Sequence, residues 1–158
     1  MQPALFDSSV YISALRGGNE AALTLRQIAS DAPLWLSSVV LEELYAGAND
    51  RDRYVVERLE RDFDKAKRIL VPNLHDWTRA GKMLARLAAK YHYERVGQGR
   101  LTNDALIATS AGRLGIRVIT ATERDFAKLA EFRVFQWEVR CLARLQSLPS
   151  PIGPKTAP

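Results

Sequence analysis

Short apolar runs of β type alternate with segments of helical periodicity along most of the chain, an order that few architectures accommodate. Pro3 to Phe6 is an apolar run ending at Asp7-Ser8-Ser9, after which Val10, Tyr11, Ile12, Ala14 and Leu15 recur with helical spacing. Gly17-Gly18 stops this helix, and Asn19 is placed to cap a second one carrying Ala22, Leu23, Leu25 and Ile28. Leu34 to Leu36 reads as the next strand, followed by a helix that Ser37 or Ser38 caps and that runs through Leu41, Leu44 and Tyr45 to Gly47. A charged amphipathic helix starting at Asn49 or Asp50 gathers Val55, Val56, Leu59, Phe63 and Ala66 on one face. Ile69 to Val71 forms a short third strand before Pro72, and Leu74, Trp77, Ala80, Leu84, Leu87, Ala88 and Tyr91 mark a long helix. Gly97 to Gly99 read as a break, after which Thr102 or Asn103 caps a helix closed by Gly115. Ile116 to Ile119 is the fourth strand, ending at Thr120. A short helix from about Glu123 to Ala130 follows, then an edge strand at Arg133 to Phe135. Val139, Leu142 and Leu145 suggest a last helix from Trp137 to Leu148.

This alternation predicts an α/β domain whose central sheet is mainly parallel and covered by helices on both faces. A chain of 158 residues has room for one such core but hardly for two. The expected organisation is a single domain over residues 1–148 and a proline-rich, unstructured tail over 149–158.

No run approaches the ~20 apolar residues that cross a bilayer. Asp7 interrupts the N-terminal apolar residues at once, unlike a secretory signal, so a cytoplasmic protein without membrane contact is expected. Cys141 has no second cysteine to pair with, and the two histidines lie far apart, so any bound metal must be held by oxygen. The net charge of +5 favours an anionic partner, nucleic acid first among them. Mild basicity is as common in proteins with no such partner.

In a parallel α/β sheet the carboxyl ends of the strands line a shared crevice. Asp7 follows the first strand, Glu43 lies just beyond the first turn of the helix after the second, and Thr120 closes the fourth. Asp104 stands at the start of the helix leading into the fourth strand, which also places it at that edge. Each acid has an ordinary role open to it: Asp7 as a cap, Asp104 at a helix dipole, Glu43 as an exposed helical residue. Together they form an acidic cluster whose mutual repulsion calls for a cation, and oxygen ligands of this kind suit Mg²⁺ or Mn²⁺.

The segments Asp7-Ser8-Ser9-Val10-Tyr11-Ile12, Glu43-Leu44-Tyr45-Ala46-Gly47, Asn103-Asp104-Ala105-Leu106-Ile107-Ala108 and Val118-Ile119-Thr120 occur in that order. The chain thereby resembles the PIN-domain family, especially the VapC-like toxins of toxin–antitoxin pairs, from about Ala4 to Trp137. The resemblance implies a three-layer α/β/α domain, divalent-metal-dependent cleavage of RNA to 5′-phosphate and 3′-hydroxyl ends, a homodimer, and a VapB-like antitoxin that covers the site. It puts the family's first three acids on Asp7, Glu43 and Asp104. At the family's fourth acidic position this chain has Thr122, with Glu123 and Asp125 close by. Asp125-Phe126 looks like the family's Asp-Phe ending, although Asp125 serves a helix cap equally well.

On this reading Asp7 and Asp104 bind the metal, directly or through water, and Glu43 completes the cluster and orients or deprotonates the attacking water. Ser8 and Thr120 are candidates to hydrogen-bond the acids or metal-bound water, whereas Ser9 only helps begin the helix. Arg16, Arg95 and Arg100 are candidate RNA phosphate contacts. Trp35, Trp77 and Trp137 suit core or interface positions better than base stacking. Two rivals remain: a PIN-like module that binds RNA without cutting it, and a Mg²⁺-binding signalling receiver domain. The latter needs a phosphorylatable Asp and a later Lys that are not evident here.

Overall fold

The computed structural model describes residues 1–18, 25, 32–92 and 95–140, with side chains from Leu101 onward in the last span. Five parallel strands, β1 (Ala4–Phe6), β2 (Leu34–Ser37), β3 (Ile69–Leu70), β4 (Arg117–Thr120) and β5 (Gln136–Val139), form one sheet in the order β3-β2-β1-β4-β5. The described helices are α1 (Ser8–Arg16), α2 (Ser38–Gly47), α3 (Asp50–Lys65), α4 (Leu74–Tyr91), α5 (Arg95–Arg113) and α6 (Arg124–Ala130). They enclose the sheet in a three-layer α/β/α sandwich.

The central strands are apolar because both their faces are covered: Ala4, Leu5, Phe6, Leu36, Val118 and Ile119 are at most 1% exposed, a level only a doubly covered sheet requires. The order of strand addition reverses at β1. Strands β2 and β3 extend to one side, β4 and β5 to the other, so the crevice between the ends of β1 and β4 is a topological switch point. Leu5 pairs with Val118 and Phe6 with Ile119, which brings Asp7 level with Thr120; Asp7 N donates to Ile119 O at 2.9 Å.

Local chemistry sets most helix starts. Ser37 Oγ accepts from Val39 N at 3.2 Å and caps α2, Asn49 accepts from Asp52 N at 2.9 Å and caps α3, and Asn73 and Asp76 form a reciprocal capping box on α4. Gly115, at φ +65°, makes the left-handed turn that ends α5 and allows β4 to begin.

Two expectations require correction. There is no break at Gly97–Gly99 and no cap at Thr102 or Asn103, because α5 runs unbroken from Arg95. Each helical glycine costs about 1 kcal/mol relative to alanine, a cost that packing against α4 along this helix offsets. Asp104 is therefore not at a helix N-terminus but deep within α5, which overhangs the sheet edge.

The second concerns the C-terminal side. Arg133 turns the chain at φ 51°, and the edge strand begins at Gln136, not Arg133. Trp137 to Val139 are strand residues paired with Val118 to Thr120, not the first turn of a helix. The Trp137 ring stacks on Phe126 at 6.4 Å between centroids, while Trp77 is exposed. The apolar spacing Val139, Leu142, Leu145 suggests a helix, and its last two members lie outside the described residues. So do the tail over 149–158 and the expected cap and helix at Asn19, Ala22, Leu23 and Ile28, of which only Leu25 is described, helical and buried.

Candidate active site

Asp7 is 3% exposed, too buried for a carboxylate that does nothing but cap a surface helix. It does cap α1, accepting from Ser9 N at 3.3 Å, but the same Oδ2 also accepts from Ser9 Oγ at 2.7 Å and Thr120 Oγ1 at 3.2 Å. Ser8 Oγ reaches only Oδ1, at 3.4 Å, a long contact that leaves this oxygen the less engaged of the two. Having donated to Asp7, Ser9 Oγ accepts from Ala121 N at 3.0 Å, and Thr120 Oγ1 accepts from Thr122 N at 3.1 Å. The start of α1 and the turn after β4 are thus stitched together by two hydroxyls.

Glu43 lies in the second turn of α2, where Leu41 and Leu44 turn into the core and direct it along the flank facing α5. Its Oε1 accepts from Asn103 Nδ2 at 3.0 Å, while Oε2 is buried without a hydrogen-bond partner among the described residues. A buried carboxylate oxygen with no donor is costly unless a ligand completes it. Tyr45, in the same segment, turns away and bonds Glu60 of α3.

Asp104 is the electrostatic centre of the cluster. Its pKa is pushed up to about 8, first by burial and then by the negative charges of Asp7, Glu43 and Asp125. All three charged neighbours acting on it are acids. The fourth, Asp125, belongs to the first turn of α6; Glu123, which precedes that helix, is exposed and makes no capping bond. Thr122, where the resemblance expects an acid, is exposed and touches the cluster only through Thr120. No three acidic, histidine or cysteine side chains among the described residues close into a ready-made metal group. The carboxylates are gathered at electrostatic range, an open arrangement that suits a cation retaining several waters.

Arg16 stands exposed in the last turn of α1. Arg95 and Arg100 lie on the first turns of α5, and their side chains are outside those described.

Two residues at the site have more to do than sequence reasoning gave them. Ser9, assigned only to helix initiation, makes the shortest bond to Asp7, and Asn103, taken as a cap, holds Glu43 from within a helix. A signal existed for each: Ser two positions after Asp is spaced for a side-chain turn, and Asn is a poor helix-interior residue that tends to be there for its amide.

A model of the PIN domain matches residues 4–132, a span containing every one of these groups. The chain belongs to the PIN domain family. As a PIN domain it also shares its fold with chains of solved VapBC complexes. The chain from the DNA-bound VapBC of Salmonella typhimurium superposes with a TM-score of 0.63 at 20% identity, covering 89% of this chain and 100% of that one. VapBC2 from Rickettsia felis, bound to a DNA fragment from its promoter, gives 0.60 at 17% identity, covering 87% and 98%. VapBC-1 from nontypeable Haemophilus influenzae gives 0.58 at 20% identity, covering 86% and 96%. No curated protein sequence matches this PIN domain. Its family excludes the receiver-domain reading. No described helix is long and apolar enough to cross a membrane.

Proposed function

We propose that this PIN domain is a divalent-metal-dependent endoribonuclease, the toxin of a VapBC-like pair. The observation that carries the reading is Asp104: a carboxyl driven up to about 8 by burial and by Asp7, Glu43 and Asp125 marks a cluster built for a cation. Asp7 and Asp104 would hold Mg²⁺ or Mn²⁺, with Glu43 completing the set. The weakly engaged Asp7 Oδ1 fits the holding of that ion, and the unpartnered Glu43 Oε2 fits a base that acts on water beside it. When bound, such an ion supplies charge neutralisation at the phosphodiester and acidifies water.

The chain's own groups divide the remaining work. Ser9 and Thr120 fix the Asp7 carboxylate, and Asn103 fixes Glu43 through Oε1, leaving Oε2 to orient the attacking water and accept its proton. Attack in line on phosphorus expels the 3′-oxygen, giving 5′-phosphate and 3′-hydroxyl ends. Asp125 adds negative charge that acts on Asp104 and substitutes for the fourth acid, whose own position holds Thr122.

The solved VapBC assemblies of the same fold support a VapB-like antitoxin as partner. A homodimer in the cytoplasm completes the reading, and the exposed Trp77, with Leu74 on the same helix, offers apolar surface for a second subunit. An RNA-binding module that does not cut is the second reading, motivated by Thr122 in the fourth acidic place.

Incubating RNA with Mn²⁺ or Mg²⁺ and wild-type, Asp7→Asn or Asp104→Asn protein tests both. Cleavage by the wild type alone is expected. Equal cleavage by all three removes the site, and a folded wild type that binds but never cuts RNA favours the binding module.

A further inference from the structure

Beside the acid cluster a groove opens between the C-terminal end of α1 and the junction of α2 with α3. Ile12, Leu15 and Leu44 line it as apolar surface, and Glu43 belongs both to its lining and to the cluster. Two further lining residues, Arg16 from α1 and Arg51 from the first turn of α3, are exposed and make no ion pair among the described residues. Arg51 is an unusual choice at that place, because a cation in the first turn of a helix opposes the helix dipole by about 0.3–1 kcal/mol. Asp50 and Asp52, its neighbours, are the expected types there.

We infer that this groove is a substrate channel in which Arg16 and Arg51 hold the phosphates of a single RNA strand as it leaves the acid cluster past Glu43. The inference rests on the nuclease reading for its direction but concerns binding, which is measurable separately from cutting. A strand needs cations beside the cluster, since four carboxylates repel its backbone, and this groove, which shares Glu43 with the cluster, carries two guanidinium groups unpaired among the described residues. Guanidinium suits phosphate through paired donors. The apolar floor gives unstacked bases a surface that excludes water without reading sequence. Asp52 lines the groove as well, so phosphates are expected on the Arg16–Arg51 side and away from it.

Fluorescence anisotropy of a labelled single-stranded RNA dodecamer, titrated with protein over a range of salt without divalent metal, tests the channel. Arg16→Gln and Arg51→Gln should each weaken binding about tenfold and lower the salt slope by about 1, and Asp52→Asn should tighten binding. Arg58→Gln, an exposed change on α3 outside the groove, should leave binding as it is. Unfolding curves establish that each variant is folded. Unchanged affinity and slope in a folded Arg16→Gln/Arg51→Gln double variant would overturn the channel and leave the groove to a protein partner, and a wild type that binds no RNA would overturn it too. A wild type that binds through these arginines yet never cuts would retire the nuclease reading and leave the channel standing.

Discussion

Ser9 Oγ lies 2.7 Å from Asp7 Oδ2 and 3.0 Å from the amide nitrogen of Ala121, so one hydroxyl orients the first acid and fastens the turn that leads to the fourth. Ser9→Ala leaves Ala121 N without this acceptor and leaves Asp7 Oδ2 with only the longer bonds from Ser9 N and Thr120 Oγ1. Loss of such an outer contact is expected to weaken Mn²⁺ binding about 10- to 100-fold and to lower stability by about 1–2 kcal/mol. Ser8→Ala, which removes only a 3.4 Å contact, should change both much less. Manganese titration calorimetry on the two variants, with melting curves, checks the contrast.

The raised pKa of Asp104 makes the metal-free protein sensitive to pH in a defined direction. In the unfolded chain this carboxyl titrates near its ordinary value of 3.8, and in the fold it is pushed up to about 8, so the native state binds the extra proton between those limits. The penalty is absent below the lower value, grows as pH rises and is complete above the upper one. Metal-free protein should therefore melt at higher temperature at pH 6 than at pH 8.5. Asp104→Asn should abolish most of the difference and stabilise the metal-free protein at pH 8.5 by about 1–3 kcal/mol, allowing for partial exposure and screening. Added Mn²⁺ should reverse the trend, because binding requires the deprotonated form.

Asn103 donates to Glu43 across the contact between α5 and α2. Replacing it with alanine leaves the general base without its positioning bond while costing little in the core, since the residue is only half-buried. Single-turnover cleavage should slow about tenfold or more at nearly unchanged melting temperature. A parallel fall in rate and stability would make the residue structural.

Gly112 packs so closely on the segment before β5 that a Cβ there would stand 1.9 Å from the backbone oxygen of Val134. Backbone cannot swing aside as a side chain can. Gly112→Ala should therefore destabilise the protein by about 1–3 kcal/mol, read as a lower denaturant midpoint, and loosen the docking of β5.

Much of this molecule was legible in its sequence because local rules and tertiary demand agree there. The strands through Ala4–Phe6 and Leu34–Ser37, the caps at Ser37 and Asn49 and the turn at Gly115 combine apolar runs or polar caps with the backbone geometry they favour. Where those demands disagree, local signals mislead. Gly97 and Gly99 carry a real propensity cost, yet α5 continues through them. Val139 opens a helical stripe with Leu142 and Leu145, but pairing with β4 captures Trp137 to Val139 as strand.

The site followed the same division. Strand ends at a switch point are predictable from topology, so Asp7 and Thr120 could be placed from sequence order. Asp104 reaches the same edge for a different reason from the one its sequence suggests, from inside a helix and not from its first turn. The work of Ser9 and Asn103 depends on a backbone amide 112 residues away and a side chain 60 residues away, which no local pattern encodes.

The most direct test of the central claim is anomalous scattering from crystals soaked in Mn²⁺. A manganese peak bounded by the carboxylates of Asp7 and Asp104, with Glu43 facing it, and absent from crystals of Asp104→Asn, is the predicted result. Manganese that binds elsewhere, or that stays at the cluster undiminished in the variant, would contradict it.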